Sequence, residues 1–215
     1  MSNLQAFPFS QVLFRQPAFG GTDTNDALFD VKFDITDKNG VTASIMAHKN
    51  LLAFISPVFK QQFFGDMRKT GMEIEIVEIQ DFQFKAFKEF IHFIYTGNKS
   101  FIENCSKEFE DLFELRKLAD KYMILEVVGI VEQRIRIVEL NSTTALPALE
   151  IAERYKNLLN FGEICDWLSQ RCVETLEKSW SSPYDVVRFW NENQNNQDLV
   201  NIVLTRLGKV GYYLY

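Results

Sequence analysis

Three cysteines in 215 residues are too few, and odd in number, for a disulfide framework. Cys105, Cys165 and Cys172 therefore read as small buried hydrophobes of a reducing compartment, the latter two seven residues apart in a helical pattern. Zinc would need further ligands, and His48 and His92 are the only histidines, at no familiar spacing. No Lys/Arg run of five is present, and a net charge of −6 with a pI near 5.1 repels a phosphate backbone, so nucleic acid is not an expected direct partner. Nor is there a run of eighteen apolar residues, which argues against a conventional spanning helix and a membrane partner. The first residues, MSNLQAFPFSQVLFRQPAF, lack a basic stretch and a cleavage pattern; the expected location is the cytoplasm, with the nucleus as a second compartment. A glycine-rich phosphate loop is missing too, Gly20-Gly21 standing outside any strand-to-helix frame, and so is a G-x-S-x-G elbow. These absences point to a binding protein rather than an enzyme, with no cofactor and no metal.

What the chain does have is phenylalanine: 20, against 7 Tyr and 3 Trp, in a composition 47% hydrophobic and 24% charged. Phe carries no polar handle, so the excess implies a rich core and buried contacts between chains. Residues 1–25 show no sustained period and read as a flexible arm. LFDVKFDIT then alternates Phe29, Val31, Phe33 and Ile35 against Asp30, Lys32 and Asp34, the period of a strand with one dry face. Asn39-Gly40 suits a hairpin turn, VTASIMA a second strand and MEIEIVEI a third, with Glu73 and Glu75 on a solvated face. From Asp81 a helical period sets in, with Phe84, Phe87, Phe90, Ile91 and Ile94 closed by Gly97, and FEDLFELRKLADKYMI and LEVVGIVEQRIRIV continue it. Beyond Leu140 the pattern is helical only, with a cap expected at or near Ser142 and Pro147 in a first turn. Strands mixed with helices, then helices alone, predict a domain boundary between residues 130 and 140.

The stretch AHKNLLAFISPVF, from Ala47 to Phe59, carries two apolar rows. Leu52 and Phe59 form one at i, i+7; Leu51, Ile55 and Val58 form another, displaced around the barrel. Pro57 would break a continuing helix, so Ser56 and Pro57 are expected as N-cap and first residue of a second one. The second row faces either a neighbouring helix of the same chain or a second copy.

Taken in order, DVKFDI, AHKNLLAFISPVF, FFGDM, EIEI and FKEFIHFIYTG resemble a BTB/POZ domain, and the helical stretch after them is similar to the BACK region that often follows it. The resemblance spans residues 26–180. It implies an α+β fold, a small mainly antiparallel sheet flanked by helices over residues 26–130, and an all-α BACK-like region and tail over 131–215. It also implies a dimer with itself or with other BTB proteins through Leu51, Ile55 and Val58, and a structural charged pair between Asp30 and Lys49. Many such proteins bring a client to a cullin-3 RING ubiquitin ligase. The corresponding cullin-facing surface is Asp66, Met67, Lys69 and Tyr122, where Lys69 stands in place of the glutamate that cullin binders commonly show. The alternative is a BTB scaffold or regulatory dimer that does not bind cullin. Trp190 and the aromatic tail, Tyr212, Tyr213 and Tyr215, are candidates for client contact or for capping the last helices.

Overall fold

The computed structural model describes residues 29–37, 40–65, 74–97 and 108–207. Cys105, Asp66, Met67, Lys69, the expected arm and the aromatic tail lie outside them. Two compact units are present, one ending at Arg134 and the other beginning at Ile135.

In the first unit, strands β1 (Val31–Thr36) and β2 (Thr42–Ala47) form an antiparallel hairpin. Gly40 takes the left-handed conformation that its turn requires, with φ 78°. Strand β3 (Glu75–Ile79) pairs with the other edge of β1 in parallel, giving the order β2-β1-β3. Among the described residues the sheet is thus mixed, with one antiparallel and one parallel pair, rather than mainly antiparallel.

Between β2 and β3 run α1 (Lys49–Ile55) and α2 (Pro57–Phe64). The Ser-Pro junction behaves as its chemistry dictates: Pro57 opens α2, and the Ser56 hydroxyl accepts the Phe59 N–H at 3.2 Å. Helix α3 (Phe84–Thr96) ends at Gly97, whose φ of 60° lets its N–H reach the Phe93 carbonyl at 2.8 Å. Then come α4 (Phe109–Lys121) and α5 (Leu125–Ile137), the latter crossing from one unit to the next. Phe33, Phe59, Phe87, Phe90 and Phe113 are all fully buried, so much of the phenylalanine excess is spent on this core. A buried Arg116 is held to Glu132 through Nε at 2.8 Å and Nη2 at 2.7 Å, tying α4 to α5.

Every described element of the second unit is helical. Helices α6 (Ala145–Tyr155) and α7 (Gly162–Ser179) pack through Ala145, Ala148, Leu149 and Ala152 on one side and Ile164, Cys165, Leu168 and Cys172 on the other. The small alanines let the two axes approach closely. Near Ser142, the turn that leads into α6 is held by the Asn141 side chain, whose oxygen accepts the N–H groups of Thr143 at 2.9 Å and Thr144 at 3.0 Å; Thr144, at the cap position itself, makes no side-chain cap bond. Helix α8 (Pro183–Glu192) repeats the Ser-Pro start, and the N–H groups of Ser181 and Ser182 hold the Asp185 carboxyl below the usual carboxylate range. After a short 3₁₀ turn, Gln194–Asn196, α9 (Gln197–Arg206) lies along α7, with Arg206 reaching Asp166 at 3.5 Å and Glu153 at 3.9 Å.

Both described cysteines are fully buried in α7, and burial pushes the Cys172 thiol up to about 12. Thiolate, the reactive form, is therefore scarce at Cys172 near neutrality. Iodoacetamide at pH 8 should leave Cys165 and Cys172 unmodified in the native chain and alkylate both in urea. Native alkylation of either, seen by peptide mass spectrometry, would contradict the packing of α7 on α6.

Candidate functional site

The base of the first unit fixes where α1 points. An Asp30 carboxylate oxygen accepts the Lys49 N–H at 2.7 Å, and the Tyr95 hydroxyl accepts the His48 N–H at 2.7 Å. That same hydroxyl lies 2.8 Å from His48 Nδ1, so one oxygen meets both the backbone and the ring of His48. Burial pushes the Tyr95 hydroxyl up to about 12, so it stays protonated at any ordinary pH. Lys49 Nζ pairs with Glu75 of β3 at 2.9 Å and sits 5.9 Å from the Phe63 ring centroid. Strands β1 and β3 and helix α3 thus each hold the start of α1.

Asp30 and Lys49 do meet, but not as the expected pair of side chains. The carboxylate takes a backbone N–H and the ammonium goes to Glu75. The reason lies in the register of β3: Glu75, Val77 and Ile79 stand opposite Val31, Phe33 and Ile35, whose face is the dry one. Glu75 is consequently turned inward towards Lys49 rather than solvated, while Ile74 and Ile76 are left 43% and 60% exposed.

Helices α1 and α2 separate the two apolar rows. Leu52 and Phe59 are fully buried; Leu51 and Ile55 are each 37% exposed and Val58 is half-buried. Beside them Phe54 is 89% exposed, a residue that the row pattern did not single out. Its signal was there in the sequence, three residues after Leu51 and four before Val58. The result is an apolar surface of Leu51, Phe54, Ile55 and Val58 on a rigidly seated helix pair.

Tyr122 is placed differently from the expectation of a partner-facing residue. It is 3% exposed, its ring stacked 4.1 Å from Phe59 and tilted 5.5 Å from Phe90, and burial pushes its hydroxyl up to about 12. A Tyr surrounded by Phe belongs to the core. Its neighbours take the outward positions instead: Met123, with φ 54°, is 59% exposed and Leu125 78%. Trp190 is half-buried.

Among the described residues no group of His, Cys, Asp and Glu is arranged to hold a metal ion, and no helix is long and apolar enough to cross a membrane. The surfaces that stand out are apolar and suited to another protein.

Comparisons with known proteins agree with this chemistry. Residues 19–136 match the family model of the BTB/POZ domain. The BTB/POZ domain-containing protein At2g40440 of Arabidopsis thaliana is 29% identical over 147 residues, covering 61% of this chain and 86% of that protein. A second Arabidopsis thaliana protein, the BTB/POZ domain-containing protein At4g08455, is 24% identical over 159 residues; the alignment takes in 74% of this chain and 60% of that one. Among solved structures, the BTB domain of zebrafish PATZ1 is similar at 22% identity, with a TM-score of 0.37, over 50% of this chain and 75% of that domain. The chain belongs to the BTB/POZ family, and its first unit is a protein–protein interaction module.

Proposed function

We propose that this chain is a dimeric BTB protein that delivers a client to a cullin-3 ubiquitin ligase, pairing through Leu51, Phe54, Ile55 and Val58 and taking a BACK-like role in its helical second unit. The observation that carries the dimer is Phe54, an aromatic side chain 89% exposed at the centre of an otherwise apolar surface. Large apolar side chains grouped on a fixed surface mark sites of association. In a two-fold dimer each buried side chain counts twice, so one Phe on each side contributes on the order of 3–6 kcal/mol.

A cullin surface would comprise Asp66, Met67 and Lys69, which follow α2 in the sequence, and the exposed Met123 and Leu125 rather than Tyr122. The second reading, a scaffold or regulatory dimer without cullin, is favoured by Lys69: an ammonium where cullin binders carry a carboxylate reverses the sign of one contact.

One experiment separates them: calorimetric titration of the chain with the N-terminal domain of cullin 3, with light scattering on the same sample. The adaptor reading expects submicromolar binding to a particle of twice 25.1 kDa. Phe54→Glu, which alters no buried contact, should reduce the particle to one chain. A dimer that ignores cullin leaves the scaffold; a wild-type monomer at micromolar concentration overturns both.

A further inference from the structure

One flank of α7 is not used by the core. Ile164, Cys165, Leu168, Cys172 and Leu176 face inward, while Trp167, Gln170, Arg171, Glu174, Thr175 and Lys178 follow one another along the other side. With Leu140 they line an open cleft of about 720 Å³. From Trp167 to Lys178 the helix rises roughly 16 Å, eleven residues at about 1.5 Å each, the length of about five extended residues.

Its lining carries two cations, Arg171 and Lys178, against one carboxylate, Glu174, in a chain whose net charge is −6. Two guanidiniums lie over the Trp167 ring, Arg136 at 4.9 Å and Arg171 at 5.2 Å from its centroid. Arg171 is further fixed by donating an Nη1 hydrogen to the Arg136 carbonyl, which leaves most of its five donors unspent. Arg136 reaches Glu163 at 3.6 Å. Lys178 is exposed and has no carboxylate partner among the described residues. The one carboxylate in the lining, Glu174, already accepts the Gln170 amide at 3.0 Å.

From this arrangement we infer that the α7 cleft binds an extended acidic peptide segment of a partner protein. One acidic side chain meets Arg171, a second meets Lys178, and an apolar side chain of the same segment rests on Leu140. Arg171 and Lys178 are seven residues apart, about 10 Å along the helix, a separation that acidic residues two to four apart in an extended strand can match. Charge complementarity selects an anion, and the apolar floor selects a peptide over a nucleic acid. A phosphodiester backbone would be met by only two unpaired cations, with nothing apolar of its own to set on Leu140. The proposal deepens the adaptor reading by naming the chemistry of its client, and its test needs no cullin.

The test is an array of heptapeptides, each with zero, one or two Asp or Glu at spacings from two to four around a central Leu, probed with the full chain. The best doubly acidic peptide is then titrated by fluorescence anisotropy. Binding should require both acids and should weaken about tenfold or more in Lys178→Glu and in Arg171→Gln. Lys178 is exposed and makes no hydrogen bond or ion pair among the described residues, so its variant is expected to keep the fold, which circular dichroism checks. Cullin titration of the same variants should match the wild type, whether or not the wild type binds. Peptide binding without acidic preference, equal binding by Lys178→Glu, or tighter binding of a dT₁₂ oligonucleotide than of any peptide would overturn the assignment.

Discussion

Phe59→Ala should destabilise the first unit by about 3–5 kcal/mol, the range for deleting a fully buried aromatic ring. Phe59 has no exposed surface, and its ring is shared by three others: Tyr122 at 4.1 Å, Phe63 at 5.7 Å and nearly parallel, and Phe33 at 5.8 Å. Each neighbour belongs to a different part of the chain, so the hole cannot close by the shift of one helix. Phe33 also leans on Phe87 at 5.0 Å, and Tyr122 on Phe90 at 5.5 Å, so slack at Phe59 passes to β1, α3 and the end of α4. Urea denaturation of the variant, followed by amide hydrogen exchange resolved to peptides of the first unit, measures the loss. Phe54→Ala is the matched control: the same atoms removed from a ring 89% exposed should change the stability of a single chain by less than about 0.5 kcal/mol. A Phe59→Ala loss below about 1 kcal/mol would mean that the four-ring cluster repacks, and with it that α2 is not held rigidly enough to present a fixed surface.

The contrast between these two rings is also a measure of what the sequence makes legible. Periodicity separated Leu52 and Phe59 from Leu51, Ile55 and Val58 because a helix maps spacing onto direction, and the Ser-Pro junction was readable because its chemistry is local. Strand β3 was misread for the opposite reason. Alternation tells which residues share a face but not which face is dry; that is set by pairing with β1, a contact more than forty residues away in sequence. Register turned Glu75 inward and gave Lys49 a carboxylate that Asp30 had been expected to supply. Tyr122 follows the same logic: the family resemblance implies a cullin-facing position, whereas three phenylalanines distant in sequence surround it and make it core. The α7 cleft was not anticipated at all: its basic and aromatic residues are interleaved with core positions along one helix, and only the fold sorts them into two flanks.

Ser56→Ala removes a single oxygen and should cost about 2–4 kcal/mol, because that oxygen serves two buried groups at once. It accepts the Phe59 N–H at 3.2 Å, one of the donors that every helix start leaves without an intrahelical partner. It also donates to the Tyr122 carbonyl at 2.7 Å, across 66 residues of sequence. Ser56 has no exposed surface, so water cannot step into either role without opening the junction. The cap alone would account for about 1 kcal/mol; the excess over that is the Tyr122 bond. Pro57→Ala gives the comparison, as it leaves the Ser56 oxygen in place and loses only the restriction on the unfolded chain, about 0.4–1 kcal/mol. Urea midpoints of the two variants therefore separate backbone preference from hydrogen bonding. The junction lies between Ile55 and Val58, so the angle between α1 and α2 depends on it. Loss of the Ser56 hydroxyl should weaken the proposed self-association as well as folding, whereas Pro57→Ala should leave the particle mass unchanged. Equal midpoints for the two variants would mean that the hydroxyl is replaceable, and the apolar surface would then owe its shape to ring packing alone.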